Sequence, residues 1–487
     1  MPYPKKIFHW IENKEVPGRS KDFFVKKNPA TGRLLAEVSM GGRFEVDRAL
    51  YRAQGAFEEW SRVGVVRRGE MLRNAALGLQ ARCEELAQIV AIESGKSKKS
   101  ALAEVGAAAE CGLFFAGEGR RYEGSVLVSA APNREVRMIR EPVGVGALLT
   151  PFNNPSAGIA WKLFPALLCG NAVVIKSHSD TPYVGVWYGK LLKEFGFPSG
   201  LVSVLQGSGE AVGAPLVADR RIKFVSLTGS VATGQAILKA AADRLAKVSI
   251  EAGGKNPFIV CDDADLERAA SLAVTSAFVD AGQRCAAASR LIVFDRVYER
   301  FKKLLLEKIG KLRVGTADAD DYGAVIREER MTEILKDVEE AVSRGADLLW
   351  GGYRLSGAKH KNGYFIAPTV LENVSSRDPI SKKEIFGPVT VLYRVRNFRE
   401  ALRLANSSEF KLTGTIHTQS IHRAQEFIRE YRAGVARVNG PTHGSEPHMP
   451  FGGSGLSGNG WREPGTKALD FYSEWKQVSV DHDPELV

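Results

Sequence analysis

Cysteine is scarce in this chain. Five of them, Cys83, Cys111, Cys169, Cys261 and Cys285, are scattered over 487 residues, with no CxxC pair and no Cys/His cluster at zinc spacing. That pattern excludes a disulfide framework and a zinc-finger-type site, and no catalytic metal is expected. An odd, sparse set of thiols suits a reducing compartment, so a cytoplasmic location is expected. Long apolar runs are missing too. The longest, 163–175, is 13 residues bracketed by Lys162 and Lys176, too short to cross a bilayer. Met1-Pro2-Tyr3-Pro4-Lys5-Lys6 has no apolar stretch behind it, so neither a secretory signal nor a membrane partner is expected. Runs of one charge sign are also absent. Lys plus Arg number 67 and Asp plus Glu 56, a net charge of +11, yet the two signs interleave and no basic run exceeds a pair or so. This argues against a nucleic-acid partner and leaves a basic surface that favours small anions. No internal repeat or low-complexity linker is present.

What is present is a soluble globular composition, 44% hydrophobic and 25% charged, over a length that suits two or three domains. Helical periodicity marks 44–60, 68–94, 102–119, 182–194, 231–245, 266–278, 298–312, 331–344 and 421–431. Compact apolar, β-rich runs mark 143–150, 172–176, 223–228, 248–250, 257–260, 291–294, 389–395 and 434–438. The alternation predicts an α/β fold with largely parallel sheets. Segments 121–140 and 470–480 read as strands without a partner in such a core, and a neighbouring chain is the expected partner.

The chemistry centres on Cys285, in Phe278-Val279-Asp280-Ala281-Gly282-Gln283-Arg284-Cys285, and on Glu251, in Glu251-Ala252-Gly253-Gly254-Lys255-Asn256-Pro257. A thiol flanked by glycine can be closely approached by a carbonyl carbon, and a carboxylate can activate water or the thiol. On its own, Cys285 reads as a buried core thiol. Gly229-Ser230-Val231-Ala232-Thr233-Gly234 follows a strand and opens a helix, the setting in which helix amides cradle a pyrophosphate; a plain helix-start turn fits it as well. Lys176 ends the buried run 172–176, within reach of ribose hydroxyls or simply at a solvated strand end. In Thr150-Pro151-Phe152-Asn153-Asn154-Pro155, an asparagine on a rigid turn can aim its amide at an oxyanion, or serve an ordinary Asn-Pro turn.

Together these segments resemble the aldehyde dehydrogenase superfamily, from about residue 25 to residue 480. In family order stand Pro151-Phe152-Asn153, Val174-Ile175-Lys176, Thr228-Gly229-Ser230 with Gly234, Glu251-Ala252-Gly253-Gly254-Lys255 and Gly282-Gln283-Arg284-Cys285. Then come Glu384-Ile385-Phe386-Gly387-Pro388, Asn406 and Pro450-Phe451-Gly452-Gly453. The resemblance implies a Rossmann-type cofactor domain (1–120 plus 141–250), an α/β catalytic domain (251–447) and a small β oligomerisation extension (121–140 plus 470–487). It implies NAD(P)-dependent oxidation of an aldehyde to a carboxylate by a homodimer or homotetramer. Cys285 would be the nucleophile that forms a thiohemiacetal and then a thioester, Asn153 the oxyanion donor and Glu251 the base that activates the hydrolytic water. Lys162 and Glu463 would relay protons from that base. Thr150, Pro151, Phe152, Lys176, Ser179, Gly229, Ser230, Gly234, Glu384 and Phe386 would meet the cofactor. Trp161, Arg284 and Phe451 would line the substrate tunnel. The alternatives are a CoA-acylating semialdehyde dehydrogenase, against which Glu251 counts, and a non-catalytic dinucleotide-binding protein.

Several positions depart from the commonest family pattern. Alanine at 252 and lysine at 411 replace leucine and glycine. Ser179 stands where many NAD-using members place a glutamate that grips the ribose 2′-hydroxyl. Serine leaves room for a 2′-phosphate, and Lys176 and His178 are expected to add positive charge, so NADP is favoured over NAD. The stretches from Gly282 to Arg290 and from Arg462 to Tyr472 look most like α-ketoglutaric semialdehyde dehydrogenases, while Glu446 to Gly453 echoes benzaldehyde and vanillin dehydrogenases. Arg284 can anchor a carboxylate at the far end of a semialdehyde, or turn away into a salt bridge.

Overall fold

The computed structural model describes residues 3–486. Two seven-stranded sheets organise the molecule. The first runs in the order Lys247–Glu251, Ile222–Thr228, Val145–Leu149, Ala172–Lys176, Val202–Leu205, His9–Ile11, Lys14–Val16. Its first five strands are parallel and the two short amino-terminal ones antiparallel. Strands such as Ala172–Lys176 are buried along their whole length, which is why they read as continuous Val/Ile/Leu runs and not as alternations. From Val145–Leu149 the chain steps outward twice on one side, then returns to place Ile222–Thr228 on the other. Beyond the carboxyl ends of those two strands lies the crevice where doubly wound sheets bind ligands.

The second sheet runs Asp347–Trp350, Thr369–Glu372, Val389–Val395, Ala288–Phe294, Asn256–Val260, Thr413–His417, Val435–Val438, parallel except at its first pair. Each sheet has its own buried apolar cluster.

Three expectations are corrected. The periodic stretch 68–94 is two helices, Val65–Ala81 and Cys83–Ser94, broken at Arg82. The break carries no glycine or proline. It turns the second helix onto Pro182–Glu194, where Trp187 Nε1 donates to Glu85 at 2.8 Å and Arg82 pairs with Glu194. The apolar run 163–175 hid the second half of another feature, the helix Pro155–Leu168, which is buried on almost every side and so shows no period. Segments 121–140 and 470–480 do have a partner, and it is within the chain. Arg134–Pro142 pairs antiparallel with Ser473–Asp481, and Ser125–Leu127 pairs with the other edge of Arg134–Pro142. Residues 468–471 form a short helix before that last strand begins.

Among the described residues one helix, Lys98–Glu118, is long and apolar enough to cross a membrane by length and composition alone. Half of its apolar window is buried, packed on Val65–Ala81 and Pro155–Leu168.

Candidate active site

Strand register brings one wall of the site together. Leu149 lies opposite Lys176 and Leu227, and Thr228 opposite Glu251. Thr150, Lys176, Gly229, Ser230 and Glu251 therefore line one sheet edge. The Thr150 N–H donates to the Lys176 carbonyl at 3.4 Å. Pro151 seats against Gly158, where an added Cβ would lie 2.6 Å from its ring, so the following helix approaches closely. Ser230 caps the helix Val231–Ala242 by accepting from the Thr233 N–H at 3.2 Å. Gly234 on its first turn packs against Ile250, where a Cβ would sit at 3.0 Å.

The second sheet faces this edge with its amino ends. Gly254 precedes Asn256–Val260, Cys285 precedes Ala288–Phe294, and Glu384 and Phe386 precede Val389–Val395, and these strands are neighbours. Asn256, which sequence reasoning gave no role, ties them. Its Nδ2 donates to the carbonyls of Cys285 at 2.7 Å and Ala287 at 2.9 Å, while its Oδ1 accepts from the Thr413 N–H at 3.2 Å. Gly254 permits this approach, since a Cβ there would lie 2.3 Å from the Cys285 carbonyl. The turn ahead of the thiol is left-handed at three successive residues, Asp280, Ala281 and Gly282, with φ of 57°, 54° and 64°. Such backbone is strained for residues with a Cβ and clusters at functional sites.

Cys285 is half-buried. Burial, with Glu384 and Glu251 nearby, pushes its thiol up to about 12. Glu251 is buried, and neither carboxylate oxygen has a hydrogen-bond partner among the described residues. Burial and the Glu463 carboxylate raise it well above the ordinary range. Gly452, at φ 148°, walls it in: a Cβ there would stand 2.5 Å from Glu251 Oε1. Behind lies a buried pair. Lys162 Nζ donates to Glu463 Oε2 at 2.6 Å and to Ser226 Oγ at 2.9 Å. Glu463 Oε1 accepts from Ser226 at 2.7 Å and from Tyr472 at 3.1 Å. Ser226 sits within a strand and Tyr472 far along the chain, and nothing in their local sequence marked either. The Asn153 side chain is buried and bonds to no other protein group among the described residues, so its amide is uncommitted.

Trp161 and Phe451 meet edge to face at 5.8 Å, and with Ala286, Leu412 and Val435 they form an apolar wall beside Cys285. Arg284 does turn into a salt bridge: its Nε donates to the buried Asp280 Oδ2 at 2.5 Å. Its two terminal nitrogens donate to no protein acceptor among the described residues.

The crevice suits a dinucleotide. A capped helix start meets anions, Lys176 is a buried cation at a strand end, and Gly253 and Gly254 open a cradle at Glu384. A Cβ at Gly253 would collide with the Glu384 carboxylate at 2.0 Å, and the Gly254 N–H donates to Glu384 Oε1 at 2.8 Å. Burial holds Glu384 at about 7 and lowers Lys176 to about 8. Phe386, at φ 52°, packs on Phe152 at 5.6 Å. Phe152 in turn packs on His178 at 5.1 Å. The expectation of positive charge at His178 is corrected. Burial lowers it to about 4, so at neutral pH His178 is uncharged. Ser179 is half-buried, and its neighbour Asp180 lies 3.8 Å from Arg327.

The sequence profile of the aldehyde dehydrogenase family matches residues 16–478. The chain is 36% identical over 475 residues to an α-ketoglutaric semialdehyde dehydrogenase of Bacillus subtilis, covering 97% of each. It is 37% identical over 478 residues to a 2,5-dioxopentanoate dehydrogenase of Saccharolobus solfataricus, covering 97% of this chain and 99% of that one. A crystal structure of betaine aldehyde dehydrogenase from Staphylococcus aureus in complex with NAD+ superposes with a TM-score of 0.95 at 32% identity, covering 99% of this chain and 96% of the other.

Proposed function

This chain belongs to the aldehyde dehydrogenase family, and from that premise we propose that its substrate is a semialdehyde carrying a carboxylate at its far end. It is an NAD(P)-dependent enzyme that oxidises an aldehyde to a carboxylate. The observation that carries the substrate class is Arg284, adjacent to the nucleophile, with Nε spent on Asp280 and its outer fork unspent. Planar guanidinium suits bidentate capture of a carboxylate. The relatives named for α-ketoglutaric semialdehyde and 2,5-dioxopentanoate support the same class.

When bound, the dinucleotide supplies the hydride acceptor. Gly229, Ser230 and Gly234 would hold its pyrophosphate, Lys176 and Ser179 its adenine ribose and Glu384 its nicotinamide ribose. Thr150, Pro151, Phe152 and Phe386 would pack beside it. Cys285 gives up its thiol proton to solvent and adds to the carbonyl carbon as thiolate, and the oxygen gains a negative charge as the C=O π bond breaks. The Asn153 amide and the Cys285 N–H stabilise that oxyanion. Loss of hydride from the thiohemiacetal carbon leaves a thioester on Cys285. Glu251 then takes a proton from water as it attacks. The C–S bond breaks, the proton of the new carboxyl group passes to the departing sulfur, the carboxylate leaves, and the thiol is restored. Glu463 and Lys162 carry the proton away from Glu251.

NADP is bound at least as tightly as NAD, because serine at 179 puts no carboxylate against a 2′-phosphate. The enzyme works in the cytoplasm as a homodimer or larger. Val126, Leu127, Trp475 and Val480 are exposed apolar residues on the outer strands of the small sheet, and pairing with a second copy would cover them. Light scattering that returned a monomer mass at micromolar concentration would contradict that. The substrate test is kcat/KM over aldehydes of matched length with and without a terminal carboxylate, with either cofactor, with and without CoA. Carboxylated substrates should lead, and Arg284→Met should cost them more than it costs uncharged aldehydes, which removes that lead. Equal losses on both kinds would refute the anchor. Titration of both cofactors against the parent and Ser179→Glu tests the cofactor choice, with NADP selectively weakened in the variant.

A further inference from the structure

The oxyanion hole has two donors on two different sheets, and one buried cation lies between them. Lys96 sits in the Gly95–Ser97 turn ahead of the helix Lys98–Glu118, with its side chain 5% exposed. Its Nζ donates to Asn154 Oδ1 at 2.6 Å, next to Asn153, and to Glu104 Oε2 at 2.8 Å. The other oxygen of Glu104 accepts from the N–H groups of Ser156 at 2.8 Å and Ala157 at 3.3 Å, which fixes the start of the helix Pro155–Leu168. On the opposite side, Lys96 Nζ lies 3.7 Å from Asp280 Oδ2. Asp280 is the first residue of the left-handed turn, and Ser100 donates to its Oδ1 at 2.5 Å. Its Oδ2 also holds Arg284, the neighbour of Cys285. Two cations and two carboxylates thus balance, with Lys96, Glu104 and Asp280 buried and Arg284 22% exposed.

We propose that Lys96 is a positioning residue that, through Asn154 and Asp280, holds the Asn153 amide and the Cys285 N–H at the separation a tetrahedral oxyanion requires. It touches neither substrate nor cofactor. A buried ion pair is weak evidence of stability in itself. The arrangement has a further feature that stability does not need: one arm of Lys96 ends on Asn154, one residue from Asn153, and the other reaches Asp280, whose Oδ2 holds Arg284, one residue from Cys285. The same turn is latched independently of Lys96. The Ala324 N–H donates to the Gly95 carbonyl at 3.0 Å, and Gln283 Oε1 accepts from the Ile326 N–H at 3.0 Å. Loss of Lys96 should therefore shift the donors without unfolding the turn. The left-handed residues 280–282, which unaided backbone disfavours, would relax first.

The inference rests on Cys285 and Asn153 acting as proposed above, and Cys285→Ala is run beside it as the control for that reading. The experiment compares the parent with Lys96→Met, Asp280→Ala and Asp280→Asn in full-length protein. It uses whichever aldehyde the parent oxidises fastest, and measures kcat, cofactor Kd by fluorescence titration, and the thermal midpoint. A misplacement of the order of an ångström costs about a hundredfold in rate, so kcat of Lys96→Met should fall by that order with cofactor Kd unchanged. Asp280→Ala should fall similarly. Asp280→Asn, which keeps an oxygen for Arg284, should recover most of the rate. Parent-like kcat in Lys96→Met, or equal loss in Asp280→Asn and Asp280→Ala, overturns the proposal. If Lys96→Met does not fold, parent-like kcat in Asp280→Ala overturns it alone. A Cys285→Ala enzyme that still turns over would defeat the underlying reading instead.

Discussion

Replacing Glu251 by glutamine should separate the two halves of the reaction. The side chain is buried, its two oxygens bond to nothing among the described residues, and Gly452, having no Cβ, leaves room beside Oε1. Glutamine has the same shape, so the packing should survive and only the basicity is lost. Positioned general bases contribute about a hundred- to ten-thousandfold. At about 1.4 kcal/mol per decade that is roughly 3–5 kcal/mol on the hydrolytic barrier. Acylation does not pass through this carboxylate in the scheme above, so rapid mixing should show a burst of reduced cofactor up to one per active site, then turnover slowed by that factor. The pH dependence has a definite sign. Burial and the Glu463 carboxylate raise the Glu251 carboxyl well above its ordinary 4.5, which favours its protonated form. Hydrolysis in the parent should therefore gain with rising pH through that raised value, and the variant should lack that limb. Stability moves the other way. A carboxyl with a raised folded pKa binds more protons folded than unfolded, so it lowers stability as pH climbs above 4.5 towards the raised value. Removing it should leave the variant at least as stable as the parent above neutral pH, measured by thermal unfolding across pH. Parent-rate turnover, or a burst that vanishes together with turnover, would refute the reasoning.

Lys162→Met leaves the Glu463 carboxylate, 1% exposed, without its cation. The loss should be about 3–5 kcal/mol, read as a lowered denaturation midpoint; an unchanged midpoint would mean that Ser226 and Tyr472 suffice. Gly452→Ala places a Cβ 2.5 Å from Glu251 Oε1 and 2.7 Å from the Trp461 carbonyl, at a φ of 148° that side chains avoid. Steady-state turnover should fall while the burst persists, because the displaced group serves hydrolysis; loss of the burst instead would show that the damage reaches the thiol.

Much of the site was legible because its residues are carried by turns at strand ends. Runs such as Ala172–Lys176 and Ile222–Thr228 are apolar on both faces, and the punctuation that follows them is polar and glycine-rich. Cys285, Asn153 and Glu384 sit in such punctuation, and Lys176 and Glu251 are the last residues of their strands. What escaped notice depends on tertiary proximity. Asn256 reads as one more polar residue until its amide is found under the Cys285 loop. Ser226 is a small residue in a buried strand, and its bond to Glu463 spans 237 residues. Helix Pro155–Leu168 was obscured because burial on all sides erases the period that marks a surface helix. The charge of His178 was misjudged because local sequence does not report desolvation.

The central claim is that the aldehyde carbon becomes bonded to Cys285. The direct measurement is intact-mass and peptide analysis of Glu251→Gln enzyme quenched after one burst with aldehyde and cofactor. One acyl group per chain, on the peptide that contains Cys285, is the predicted result. Cofactor reduced in full with no acyl mass on the protein, or with the acyl group on Cys83, Cys111, Cys169 or Cys261, would contradict it.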